Sequence, residues 1–159
     1  KGRALKVALT VDADDALLTD IALVLRPDFV QLHGHETPER ARQVRVMTGA
    51  KIIRALSVSD PSDLEAAAEW EPVADHLMFD ARPPSGSALP GGVGARFDWT
   101  LLSGLRFLKP WFLAGGLNPD NAAGAAAISG APMLDVSSGV ESAPGVKDVA
   151  RIQAFLEAV

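Results

Sequence analysis

The alternation of apolar and polar positions divides the chain into short β-rich apolar runs separated by longer segments of helical spacing. The runs occupy residues 5–11, 29–33, 52–58, 76–80, 111–114 and 133–136, and each predicts a strand. Helical patterns fill 14–25, 38–47, 61–70, 99–105, 119–128 and, after the last run, 148–158. Local punctuation agrees. Asp60-Pro61-Ser62-Asp63 places a capping side chain, a first-turn proline and an acid in the order a helix start favours, and Thr37-Pro38-Glu39 and Asn118-Pro119-Asp120 repeat the device. Gly49, just past Met47-Thr48, suits the left-handed residue that closes a helix.

Strand starts fall roughly 22 to 24 residues apart, with one interval of about 35, a spacing that fits repeated βα units on short loops. Such units build a parallel sheet, either open and doubly wound or closed as an eight-stranded barrel. No glycine-rich fingerprint follows residues 5–11. Glycine-containing turns follow the last two runs instead, as Ala114-Gly115-Gly116 and Ser137-Ser138-Gly139. Barrel phosphate sites are commonly built after the seventh and eighth strands, so this position favours an α/β fold of the (βα)8 TIM barrel type. Counting back makes residues 5–11 the third strand. Residues 1–159 then form a single barrel domain represented by its third to eighth βα units, with about two units, on the order of 50 residues, expected to be absent at the front. The long interval, residues 81–96, is rich in Pro, Gly and Ser and is expected to be one extended functional loop after the fourth strand.

Composition narrows the function classes. The 159 residues, 48% hydrophobic and 22% charged, suffice for one domain with a core. Lys and Arg total 15 against 20 Asp and Glu, a net charge of -5, so nothing draws the chain to nucleic acid or an anionic membrane. A small anion would need a local site of backbone amides. The apolar stretches are too short to span a bilayer and the N-terminus lacks a signal pattern, so a cytoplasmic protein is expected. The absence of cysteine excludes disulfides, thiolate metal sites and a cysteine base within these residues.

Several residue types then point to chemistry. Gly115 and Gly116 end a strand just before a helix start, where bare amides approach an anion at the positive helix end; Ser137, Ser138 and Gly139 add hydroxyls and amides from the next strand. Either turn alone reads equally well as a tight strand-to-helix connection, whereas the pair on adjacent strands is specific for phosphate. Asp80 closes the fourth strand at its carboxyl end, as a proton donor or as the cap of the following loop. Asp135, within the last strand, is expected to serve structure by pairing or hydrogen bonding inside the barrel. Gln31 and His33 share one face of the second strand and can line a ligand site, with His35 extending the spacing. His33 and His35 lack a third ligand cluster, so no metal is expected. Arg54, mid-strand in an apolar run, is expected to face substrate or to pair with a buried acid such as Asp80 or Asp135.

These segments also carry a family pattern. Val30-Gln31-Leu32-His33-Gly34, Phe79-Asp80-Ala81-Arg82-Pro83-Pro84, Leu89-Pro90-Gly91-Gly92, Phe97-Asp98-Trp99, Leu113-Ala114-Gly115-Gly116-Leu117-Asn118-Pro119 and Asp135-Val136-Ser137-Ser138-Gly139-Val140-Glu141, with Pro144-Gly145-Val146-Lys147-Asp148, resemble in order and spacing the phosphoribosylanthranilate isomerases of tryptophan biosynthesis. The resemblance runs from Lys6 to Val159. It implies a cofactor-free Amadori rearrangement of a sugar phosphate, in which an aspartic acid protonates the ribose ring oxygen, a role falling on Asp80. It further implies a cysteine base on the first strand and an arginine after the second, neither of which has a counterpart here. A different expectation follows from that gap: a non-catalytic phosphate-binding barrel fragment. Its open edge at residues 5–11 would invite homodimer formation. Fusion to a pathway neighbour is a further partner arrangement. Indole-glycerol-phosphate synthase, a related barrel, would require catalytic lysine and glutamate strand motifs that are not found.

Overall fold

The computed structural model describes residues 4–81 and 96–159. Six strands, β1 (Val7–Thr10), β2 (Phe29–Leu32), β3 (Lys51–Val58), β4 (His76–Ala81), β5 (Trp111–Leu113) and β6 (Met133–Leu134), form one parallel sheet in the order β1-β2-β3-β4-β5-β6. Every expected run supplies a strand. Each strand lies beside the next in sequence, without the reversal that creates the crevice of a doubly wound sheet. Residues 82–95, which hold most of the expected long loop and the Arg82-Pro83-Pro84 and Leu89-Pro90-Gly91-Gly92 segments, lie outside the described residues. Among the described residues no helix is long and apolar enough to cross a membrane.

The helices are α1 (Asp15–Asp20), α2 (Pro38–Thr48), α3 (Ala67–Trp70), α4 (Ala122–Ser129) and α5 (Val149–Glu157). Their caps are largely those the sequence proposes. Thr37 accepts from the Arg40 amide at 3.2 Å, and Gly49 closes α2 with φ 67°. Asp60 and Asp63 exchange side-chain bonds with each other's end of the turn in a capping box.

Four helical expectations change. Residues 61–70 begin as a 3-10 segment, Pro61–Ala66, and only α3 is α-helical. Residues 14–25 split into α1 and a π-helical turn, Ile21–Leu25, that ends at left-handed Arg26. Residues 99–105 shrink to a 3-10 turn, Trp99–Leu102, because Ser103 is extended and Gly104 turns left-handed. The helix expected at 119 starts at Ala122: the Asn118 carboxamide accepts from the amides of Asp120 and Asn121, forming a local turn that competes with helix. Beyond β6 the sequence reading missed an antiparallel hairpin, β7 (Glu141–Ala143) and β8 (Val146–Lys147), turned at Pro144-Gly145.

Side chains alternate between the two faces of the sheet, and the core divides accordingly. Leu32, Ile52, Val58, Leu77, Phe79 and Leu113 face the helices, meeting Leu18, Val44, Trp70 and Phe155. Phe79 stacks against Phe107 and Trp111 at ring distances of 4.7 and 5.5 Å. Burial of each such side chain stabilises the fold by about 1.5–3 kcal/mol. The opposite face holds a smaller cluster built from strands: Phe29, Ile53, Ala55, Met78 and Ala114, with Phe112. Among the described residues β1 pairs only with β2, and Val7, Leu9 and Val11 of its smaller-cluster face are exposed.

Candidate active site

The face away from the helices becomes polar at the carboxyl ends of alternate strands. Gln31 lies on β2 with His33 just beyond it, Asp80 is near the end of β4, and Asp135 follows β6. The intervening strands carry small residues at this level, Ala55 and Ser57 on β3 and Ala114-Gly115 after β5. Large side chains from alternate strands can therefore meet across them, the layering expected of parallel barrels.

His33 and Asp80 are in direct contact: Nε2 is 3.2 Å from Oδ2, and each side chain is 8% exposed. The N–H direction lies off the line to the carboxylate, so the contact is electrostatic rather than a well-aligned hydrogen bond. Gln31 Nε2 lies 3.5 Å from His33 Nδ1 and donates weakly to Met78 Sδ at 3.3 Å. At Asp135, burial first and the nearby Asp80 carboxyl second push the pKa up, opposed by His33 and Lys147. Two carboxyl groups thus approach one site, and the second keeps its proton to higher pH than an exposed aspartate.

The two glycine turns form the rim. Gly115 has φ 90°, and a Cβ there would lie 2.6 Å from the Ala81 amide and 3.0 Å from Asp80 Oδ1. Only glycine leaves that carboxyl oxygen uncovered. A Cβ on Gly139 would fall inside contact distance of the Leu117 carbonyl, so the turns after β5 and β6 are packed against each other. Lys147 reaches from β8 to the Ser137 carbonyl at 2.8 Å and its hydroxyl oxygen at 3.2 Å, and pairs with Glu141 at 2.7 Å. The Ser137 hydroxyl hydrogen is left to donate elsewhere. Because α4 begins only at Ala122, the amides of Gly115 and Gly116 belong to a turn and do not, as expected, lead directly into a helix start.

Gln31, His33, Asp80, Gly115, Gly116, Ser137, Ser138 and Gly139 therefore fall on one side of the sheet at its carboxyl end. Arg54 does not. It alternates with inward Ile53 and Ala55, so strand geometry turns it toward the helices, where its guanidinium lies 4.4 Å from the Trp70 ring centroid. Its acid partner is Glu36, at 3.0 Å, and not Asp80 or Asp135. Burial lowers the Arg54 pKa, opposed by Glu36. Glu36 also accepts from the amides of Asp12 and Gly34, both at 2.9 Å, and so ties the turns after β1 and β2 to β3. His35 separates from His33: its side chain is 97% exposed and rests on Asp12. Asp135, expected to pair or hydrogen-bond inside the barrel, does face that side and lies near Asp80 and His33. The signal was parity, because it shares its face with Met133 and stands two residues before Ser137, directly ahead of a phosphate-type turn.

Residues 1–158 match the model of a family described as N-(5'-phosphoribosyl)anthranilate (PRA) isomerase. A relative from Caulobacter sp. (strain K31), named N-(5'-phosphoribosyl)anthranilate isomerase, is 57% identical over 153 residues, which cover 96% of this chain and 72% of the relative. The fold is similar to the crystal structure of phosphoribosyl anthranilate isomerase from Thermotoga maritima, with a TM-score of 0.84 and 31% identity over 99% of this chain and 74% of that one. It is also similar to a phosphoribosyl anthranilate isomerase structure in complex with reduced 1-(o-carboxyphenylamino)-1-deoxyribulose 5-phosphate. That match has a TM-score of 0.81 and 29% identity, covering 99% of this chain and 72% of that one.

Proposed function

The chain belongs to the N-(5'-phosphoribosyl)anthranilate isomerase family, and from that premise we propose that it acts in converting N-(5'-phosphoribosyl)anthranilate to 1-(2-carboxyphenylamino)-1-deoxyribulose 5-phosphate in tryptophan biosynthesis. The observation that carries the reading is the buried Asp80 carboxyl, one oxygen left uncovered by Gly115, beside two interlocked glycine turns. On this reading the six strands take the places of the third to eighth strands of a (βα)8 barrel, with the phosphate turns after the seventh and eighth.

The amides of Gly115, Gly116, Ser138 and Gly139, with the hydroxyls of Ser137 and Ser138, hold the substrate phosphate. The ribose then lies over Asp80. Asp80 gives its proton to the ring oxygen as the C1–O bond breaks, and the nitrogen lone pair closes a C1=N bond to give an open-chain Schiff base. Loss of the C2 proton to a base then yields the enolamine, which tautomerises to the product. Proton transfers suffice, so the reaction as read requires no cofactor. The base implied by the resemblance is a cysteine, and none of the 159 residues is one; the role is assigned to no residue of this sequence. Asp135, with its raised pKa, is placed to hydrogen-bond the sugar.

A solely phosphate-binding role is not favoured, since the relative 57% identical over nearly the whole chain carries the isomerase name. Asp80→Asn in the full protein tests the acid: turnover is expected to fall by about 10²- to 10⁴-fold, with binding of a reduced product analogue nearly unchanged. Equal losses in turnover and in binding would remove Asp80 from the acid role.

A further inference from the structure

His33 is one of two buried groups in contact at the carboxyl end of the sheet, and the acid step above leaves it unused. Its Nε2 is fully buried and has no well-aligned hydrogen-bond partner, and it lies 3.2 Å from Asp80 Oδ2. Burial of an unpaired ring nitrogen is costly, so this orientation needs a reason. In free enzymes catalytic hydrogen bonds are often long or poorly aligned and tighten as substrate reacts.

The other ring nitrogen supplies the direction. Gln31 turns its carboxamide nitrogen toward Nδ1, and a donor there requires Nδ1 to accept. A neutral imidazole accepting at Nδ1 carries its hydrogen on Nε2, the ring nitrogen that lies 3.2 Å from Asp80 Oδ2. The other carboxyl oxygen, Oδ1, is the one nearest to Gly115 on the phosphate-turn side. Around this pair β3 contributes Ala55 and Ser57 without charge, β4 contributes Asp80 itself, and the end of β6 contributes Asp135, with Lys147 of β8 acting on Asp135.

We propose that His33 is a positioning residue: oriented by Gln31, it donates Nε2–H to Oδ2 of Asp80, which leaves Oδ1, beside Gly115, as the oxygen that carries the acid proton. The inference rests on the acid role proposed for Asp80. As the Oδ1–H bond breaks and the hydrogen passes to the ribose ring oxygen, negative charge develops on the carboxylate and the His33 donor meets it at Oδ2. The histidine gains no proton and loses none. It restricts which oxygen reacts and stabilises the conjugate base in place.

Long-range ¹H–¹⁵N spectra of the protein labelled with ¹⁵N-histidine read this directly. The expected result is a His33 ring protonated at Nε2 and bare at Nδ1, with the Nε2 resonance moved by Asp80→Asn and the tautomer preference lost in Gln31→Leu. A parent ring protonated at Nδ1 would overturn the proposal. Turnover gives the second arm. His33→Gln places an amide donor near the Nε2 position and is expected to keep kcat within about tenfold. His33→Leu should lose about 10- to 100-fold in kcat with KM nearly constant, the size of one hydrogen bond to a developing charge. Equal losses in the two variants, or full turnover in His33→Leu, would reduce His33 to packing. Absence of isomerase turnover in the full protein would defeat the proposed function, while the nitrogen spectra would still decide the His33 contact.

Discussion

Two histidines, His33 and His76, face the same side of the sheet from opposite ends, and their surroundings have nothing in common. His33, past the end of β2, meets the Asp80 carboxylate and the Gln31 amide. His76, at the start of β4, stands between Phe29 and Phe112, with ring centroids 5.1 and 5.7 Å away, and its Nδ1 has no hydrogen-bond partner. Burial lowers the His76 pKa from the ordinary 6.5, with Asp75 opposing and Lys51 assisting. Strand direction accounts for the contrast. At the carboxyl end the chain leaves the sheet through turns that bring amides and acids together. At the amino end the same face is closed by rings, and a histidine there serves as a flat, weakly polar filler. Residue type alone therefore does not separate the two histidines; their place along the strand does.

The sharpest challenge to this division is Glu36, which stands at the functional end and yet is expected to carry stability. Glu36→Ala removes the partner of the largely buried Arg54 and two amide contacts. Breaking a buried pair from one side costs about 3–5 kcal/mol, so the urea midpoint should fall steeply. A loss under about 1 kcal/mol would mean that the pair behaves as a surface pair.

Gly139→Ala acts at the same end through the two glycine turns proposed to hold phosphate. The added methyl meets the Leu117 carbonyl, and forced overpacking costs about 1–3 kcal/mol, here spent in parting the two turns. Affinity for inorganic phosphate, followed by calorimetry, should fall more than stability does. Equal affinity in parent and variant would remove this turn from the phosphate pocket.

The smallest effect belongs to the amino end. Because the folded-state pKa of His76 lies below its unfolded value, the unfolded chain binds more protons in the interval just under pH 6.5. The His76 contribution to stability is thus complete above about pH 6.5 and is lost as pH falls through that interval. His76→Phe should flatten the acid side of the stability profile while leaving turnover unchanged, as denaturant midpoints at neutral pH and near pH 5.5 would record. An unaltered slope would place the acid sensitivity on other groups.

Much of this was legible because strands announce themselves by alternation. All six runs became strands, and the two glycine turns fell on neighbours, as their position after the last two runs required. Alternation also held information that reading by residue type passed over. Arg54 lies between two inward residues and so points outward. What pattern could not supply was competition among local bonds. The Asn118 side chain delays α4 by three residues relative to the expected start, and Gly104 ends the Trp99 turn early. Glu36 was out of reach for another reason, since its partners come from the turns after β1 and β2 and from the middle of β3, and only the assembled sheet brings them together.

The contact between Gly139 and Leu117 makes the two glycine turns, proposed to hold phosphate, one mechanical part. Neither can be lengthened by a residue without displacing the other, so insertions tolerated elsewhere on the surface are excluded here. Transplanting this anion handle into another parallel sheet would require residues 114–118 and 137–140 to travel together. The two strands that carry them must keep the register that pairs Phe112 with Met133 and Leu113 with Leu134.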